Sequence, residues 1–337
     1  PFGNAEGWRY TGNTDHRNRS KGNNLGFFIR KQHGNITNNN DRNSDAYYYP
    51  AILHDIILRK QQMDMRKLLL ILAFPVFASA QTPMLWLTKK SATGCTDVDA
   101  LKYFAATGIT DAGQKTAICD FIAREKAASR WGTEVQAFYI LGNGSFAASK
   151  YNLIDTTKYT CTSTGTITYS TGSGGGADPT SGAYLTTNYK PSTETVSLNS
   201  FHLMFWSQEN VNETSTDIGV LNATYNSDIE LYGNVMYSTL NRSNYSTYLS
   251  SSLSNTVGMF LSNRTSSTAV EIFQNTTSLA SGSITAQGLP TDFIYIFTSN
   301  LANFSTKKCV FVSIGAGISN PSDYYNSVNQ LKTDLGL

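Results

Sequence analysis

The stretch SFHLMFWSQ, Ser200 to Gln208, constrains the fold of this chain more than any other feature. In an extended segment Phe201, Leu203 and Phe205 point to one side, while His202, Met204 and Trp206 point to the other. Large apolar groups on both faces require cover on both faces. The stretch therefore reads as a central strand with a layer packed against each side.

TVGMFLSN, DFIYIFTSN and KKCVFVSIGA repeat that character, and turn residues separate them. EVQAFYILGNGSFAAS places Asn143-Gly144 after an apolar strand, the strongest short hairpin signal, and IELYGNVMYSTL repeats the device with Gly233-Asn234. Many short strands with frequent turns predict a sandwich or barrel from residue 131 to residue 319.

Residues 81–130 read as helical instead. Thr110 is placed to cap a helix starting at Asp111, in which Ala117, Ile118, Phe121 and Ile122 form one apolar stripe. A shorter helix is expected over Asp97 to Ala106, with Leu101, Phe104 and Ala105 inward and Gly108 ending it. The last expected helix covers residues 320–337. Asn320 caps it, Pro321 is in its first turn, and Tyr324, Val328, Leu331 and Leu335 make a docking stripe closed by Gly336.

Ahead of all this lies MRKLLLILAFPVFASAQ, Met65 to Gln81. A basic head, an apolar run and a small-x-small ending are the three parts of a secretory signal peptide, here residues 65–80. The run is about half the ~20 residues a membrane-spanning helix needs. No membrane span is therefore expected in the mature chain. Residues 1–64, rich in Asn, Arg and Asp, read as a segment translated from too far upstream or as a disordered arm. Secretion, to the periplasm or the cell surface, is the expected localisation.

Removal of that head changes the charge. The whole chain carries 26 Lys/Arg against 24 Asp/Glu, but from Gln81 onward the count is 15 against 18, net −3. No basic patch forms, so nucleic acid is not an expected partner. All four cysteines, Cys95, Cys119, Cys161 and Cys309, follow the cleavage point. Four cysteines allow three pairings. The segments favour Cys95–Cys119 in the helical part and Cys161–Cys309 between strands, with free buried thiols as the alternative. Without a CxxC motif, no metal site is expected.

Catalytic constellations are missing. His202 is the single histidine after Gln81, and a mid-strand imidazole is a packed residue rather than a triad base. TGSGGGADP matches a dinucleotide fingerprint in spacing, but Asp178-Pro179 follows where a helix must start. No cofactor is expected. Asp228 and Glu230, at i and i+2 on a strand, are the one acid pair with the spacing a sandwich glycoside hydrolase uses; the glucanase pattern of acids is absent, and hydrolysis is the alternative reading.

What remains is surface. STLNRSNYSTYLSSS interleaves Asn241, Arg242, Asn244, Tyr245 and Tyr248. Aromatic faces cover sugar C–H surfaces while amides and guanidinium groups fix hydroxyls, so these five are the candidate glycan contacts. An ordinary polar strand and turn would have the same composition.

KYFAATGITDAGQKTAICDFI, FYILGNGSFAASKYNLID, GADPTSGAYLTTNY and KKCVFVSIGAGISNPSDYYNSVNQLKTDLG occur in that order. Over roughly Leu101 to Leu337 this arrangement resembles phage virion and tail-associated proteins, and their bacterial relatives, that carry a concanavalin A-like lectin/glucanase domain. The resemblance implies an antiparallel jelly-roll sandwich with short flanking helices and a structural or adhesive role without enzymatic activity. It also implies surface polysaccharide, a second copy of the chain or virion components as partners, with the virion as the alternative location. Virion proteins need no export signal, so Met65 to Ala80 favours a secreted bacterial relative or a prophage-derived gene.

Overall fold

The structure, a computed structural model, describes residues 94–221, 224–243 and 247–337. The expected signal peptide, the segment ahead of it, and candidates Asn244 and Tyr245 lie outside the described residues.

Two helices come first, α1 (Val98–Thr107) and α2 (Ala112–Ala127). Asp97 caps α1 through the amides of Asp99 and Ala100, and Gly108, at φ 69°, ends it in the left-handed region that glycine tolerates. The inward face carries Ala100, Tyr103 and Phe104; Leu101, 49% exposed, and Ala105, also exposed, do not face inward as expected, because the buried stripe is shifted by one position. Asp111, rather than Thr110, caps α2 by accepting from the Gln114 amide. Ala117, Ile118, Phe121 and Ile122 are buried as one stripe.

Next come β1 (Val135–Ile140), the one-turn α3 (Phe146–Ser149), β2 (Thr162–Thr164), β3 (Ile167–Ser170), β4 (Gly176–Pro179) and β5 (Tyr184–Thr186). β6 (Phe201–Ser207), β7 (Ile218–Val220), β8 (Asn226–Tyr232), β9 (Val235–Arg242) and β10 (Leu249–Ser252) follow. The chain closes with β11 (Gly258–Arg264), β12 (Ala269–Gln274), β13 (Thr277–Ser283), β14 (Tyr295–Ile296), β15 (Cys309–Gly315) and α4 (Pro321–Asp334).

Among the described residues the strands form two antiparallel sheets. One runs β13-β12-β11-β6-β15-β4-β3, with β1 also paired to β15; the other runs β10-β9-β8-β7-β14-β5-β2. The chain passes repeatedly between the layers, and the result is a β-sandwich with helices on one side. β6 is central, flanked by β11 and β15. Its Phe201, Leu203 and Phe205 enter the core between the sheets, and Met204 and Trp206 enter a second core under the helices. That second core holds Phe121, Ile122, Phe138, Phe311, Tyr324 and Val328, so α1, α2 and α4 cover the first sheet's outer face. Burial of this apolar surface, at about 25 cal/mol per Å², is the main force holding the layers together.

Gly233 and Asn234, at φ 61° and 58°, make the two-residue turn joining β8 to β9, as their sequence predicts. Asn143-Gly144 makes no hairpin. Ser145 caps α3 through the Ala148 amide, and the chain turns into that helix instead of back along β1. No helix follows the glycine loop: residues 176–179 form β4, a strand of the first sheet.

Candidate functional site

Helices cover the first sheet, whereas the second sheet turns its outer face away from them. Alternation decides which side chains stand there. Ile229, Leu231, Met236 and Leu249 belong to the inter-sheet core. Their strand neighbours Glu230, Tyr232, Tyr237 and Tyr248 therefore face outward. Tyr232 and Tyr237 lie with ring centroids 6.2 Å apart, and Tyr237 meets Tyr248 edge to face at 5.2 Å. The three rings span β8, β9 and the entry to β10, with Tyr232 43% and Tyr248 48% exposed.

Of the candidates named from sequence, Tyr248 belongs to this group. Arg242, half-buried, donates to the Thr285 carbonyl at 2.7 Å and to the hydroxyl of Thr247, the residue before Tyr248, at 3.1 Å. Asn241 does not belong. It is fully buried at a bulge, φ 59°, where its side chain bonds Ser227 and the Leu198 carbonyl. The bulge, at Asn226/Ser227, turns Asn241 inward and removes it from any ligand. Sequence reasoning missed Tyr232 and Tyr237. Both follow inward residues in ELYGNVMY, so the alternation on either side of the Gly233-Asn234 turn carried the signal.

A second aromatic group lies on the same sheet. Tyr184, the residue before inward Leu185, meets Tyr295 at 5.9 Å and stacks on Phe304 at 6.0 Å. The proposed hydrolase acids occupy β8. Asp228 is 1% exposed and accepts from the Thr239 amide at 2.9 Å. Glu230 accepts from the Thr216 hydroxyl at 3.0 Å; burial raises its pKa, and the charge of Asp217 adds to this. Close by, Lys307 Nζ lies 2.9 Å from Glu213 Oε1 and 3.3 Å from Asp217 Oδ1.

Cys95 and Cys119 form a disulfide that ties the segment ahead of α1 to α2. The expected Cys161–Cys309 bridge is absent: both are free, buried thiols. Each has its own partner. Tyr139 reaches the Cys161 thiol, and Cys309 points its sulfur at the Phe311 carbonyl, 3.3 Å away, where β15 is bulged. His202 is fully buried, its Nδ1 on the Ala316 carbonyl and its Nε2 on the Ser313 hydroxyl. Among the described residues no cluster of His, Cys, Asp and Glu is placed to hold a metal ion, and no helix is long and apolar enough to cross a membrane.

No protein-family model matches the chain, and no curated protein matches it. Among solved structures it is similar to domain 4 of AbnA, an extracellular GH43 arabinanase from Geobacillus stearothermophilus, in complex with arabinotriose. Identity is 15% and the TM-score 0.40, over 58% of this chain and 98% of that domain. The Botulinum neurotoxin serotype D binding domain matches at 12% identity and TM-score 0.40, over 61% of this chain and 53% of its own. The binding domain of Botulinum neurotoxin DC, in complex with rat synaptotagmin II, matches at 14% identity and TM-score 0.36, over 58% and 52%. The chain thus spans about half the length of these two neurotoxin structures.

Proposed function

We propose that the sandwich is a non-catalytic carbohydrate-binding module that holds a surface glycan on the outer face of its second sheet. The observation that carries this reading is the row of Tyr232, Tyr237 and Tyr248 across adjacent strands, with two of the rings well exposed. Aromatic rings cost little entropy to hold in place, and they cover the C–H faces of sugar rings. Glu230, directly opposite Tyr237 in the β8–β9 register, and Arg242 supply an acceptor and a donor for hydroxyls at the margin.

In this reading the domain works outside the cytoplasm, on a cell or a virion surface. The export signal read in Met65 to Ala80 supports that location, as does the Cys95–Cys119 disulfide, a bond that persists in oxidising compartments. A glycan array probed with the purified protein, followed by calorimetry on the hits, tests the proposal. Binding to a defined class of polysaccharide supports it. Silence across bacterial and host glycans from a folded sample removes it.

A further inference from the structure

Three charged side chains are shut in together where the chain enters β7 and β15. Lys307 and Asp217 are both 0% exposed, and Glu213 is 17% exposed. Lys307 Nζ is within 3.3 Å of Asp217 Oδ1, 2.9 Å of Glu213 Oε1 and 3.1 Å of the Ser215 hydroxyl. The Leu231 amide donates to Asp217 Oδ2 at 2.8 Å. The Ser305 hydroxyl lies 2.7 Å from Asp217 Oδ1 and 3.0 Å from Glu213 Oε1, so its one proton serves one carboxyl at a time.

Two carboxylates facing one ammonium leave a surplus negative charge, which is costly at the fully buried Asp217 unless that carboxyl takes a proton. Their surroundings separate the two. Burial raises Glu213, but the Thr306 hydroxyl and amide together with Lys307 outweigh it and hold the pKa down at about 2. Burial raises Asp217 above the usual carboxylate range, although Lys307 and Ser305 pull the other way. Asp217 is therefore the carboxyl that takes up a proton, and Glu213 the one that stays ionised beside Lys307. A carboxyl, an ammonium and a second carboxylate in mutual contact become the reactants of amide formation once one proton has moved between them, and they are held so that the step is unimolecular.

We propose that Lys307 and Asp217 condense spontaneously into a side-chain amide, with Glu213 as the proton carrier. One proton of the Lys307 ammonium passes by way of Glu213 to Asp217, giving a neutral amine and a carboxylic acid. The amine lone pair attacks Asp217 Cγ, forming the N–C bond. Charge that develops on Oδ2 is met by the Leu231 amide. Glu213 takes a second proton from the nitrogen and returns it to the Oδ1 hydroxyl, which leaves as water when the C–O bond breaks. The nitrogen keeps one hydrogen, two depart in the water, and no oxidant or activated donor is needed. The product replaces a buried ion pair with a neutral amide, and the released water escapes to solvent. It staples the segment before β7, in the second sheet, to the segment before β15, in the first. A staple of that kind would hold the two layers together under proteolysis or pulling.

Peptide mapping of the purified full-length protein, reduced and alkylated, reads the bond without any variant. The expected result is one branched peptide joining Lys307 to Asp217, lighter by one water, about 18 Da. Glu213→Gln should abolish the branch, and so should Lys307→Arg. Ordinary linear peptides from folded wild-type protein, with trypsin cutting freely after Lys307, would overturn the proposal. A water loss mapping to any other pair would overturn it equally.

Discussion

Arg130 grips Glu125 with both arms of its guanidinium, Nε to Oε2 at 2.8 Å and Nη2 to Oε1 at 2.9 Å, although the two are 3% and 0% exposed. The third nitrogen reaches Asp323 at 2.6 Å, and the guanidinium sits over the Tyr324 ring at 5.6 Å. One residue just past α2 thereby fixes the start of α4, and with it the helical cover of the first sheet. Removing one partner of a buried pair leaves the other charge unpaired, at about 3–5 kcal/mol. Arg130→Ala should lose that amount in urea unfolding, whereas Lys126→Ala, which breaks the exposed pairs with Asp97 and Asp99, should lose less than about 1 kcal/mol. Replacing Glu125 and Arg130 together by Met should recover most of the loss. Equal costs for the two single variants would show that Arg130 pins nothing.

The Cys95–Cys119 disulfide joins residues 24 apart in sequence. Closing a loop of that length restricts the unfolded chain, an effect of about 3 kcal/mol in the chain-entropy account. Cys95→Ala/Cys119→Ala should therefore unfold at lower urea than wild type under oxidising conditions. Under full reduction the two proteins should have the same midpoint, because the only disulfide among the described residues is then open in both.

How much of this was legible in the chain follows from the range of each interaction. The sides of β6 could be read from Phe201 to Trp206 because a two-residue period is local, and Gly233-Asn234 sets its turn through its own φ angles. Asn143-Gly144 carries the same turn chemistry, yet Ser145 captures the chain into a helix, a competition between two local signals of similar strength. Cys161 and Cys309 both reach the inter-sheet core and looked like partners, but their thiols have other neighbours. The tyrosine row needs the β8–β9–β10 register, which brings Tyr232, Tyr237 and Tyr248 onto one face. The Lys307–Asp217–Glu213 group joins loops from opposite layers, and no spacing rule announces it.

His202 predicts a pH dependence. The Ala316 carbonyl can only accept, so Nδ1 carries the proton and Nε2 accepts from Ser313. Burial pushes the pKa down to about 4 from its ordinary 6.5. Between those values the unfolded chain binds a proton that the folded one refuses, so stability rises with pH across the window. His202 should cost nothing above about pH 6.5, and as pH falls toward 4 it should remove up to about 3 kcal/mol. Urea unfolding of wild type and His202→Gln at pH 7.5 and 4.5 checks this. The variant should be the less stable at the higher pH yet lose less on acidification; parallel losses would assign the acid sensitivity elsewhere.

Tyr248 and Tyr232 give the proposed binding face its own test. Both rings are nearly half exposed, and Tyr237 between them is held edge-on by Tyr248. Truncating an exposed ring removes little packing, so Tyr232→Ala and Tyr248→Ala should each change stability by no more than about 0.5 kcal/mol. An aromatic contact is worth about 0.5–1.5 kcal/mol, so each variant should weaken glycan binding by up to about tenfold in calorimetry. The double variant should weaken it further, because in the proposed mode the row of rings would engage successive sugars of one chain. Leu101→Ala provides the control: Leu101 is 49% exposed, but α1 covers the other sheet, and its loss should leave glycan affinity unchanged. Weakening by Leu101→Ala with no effect from either tyrosine would move the site to the helical side of the sandwich.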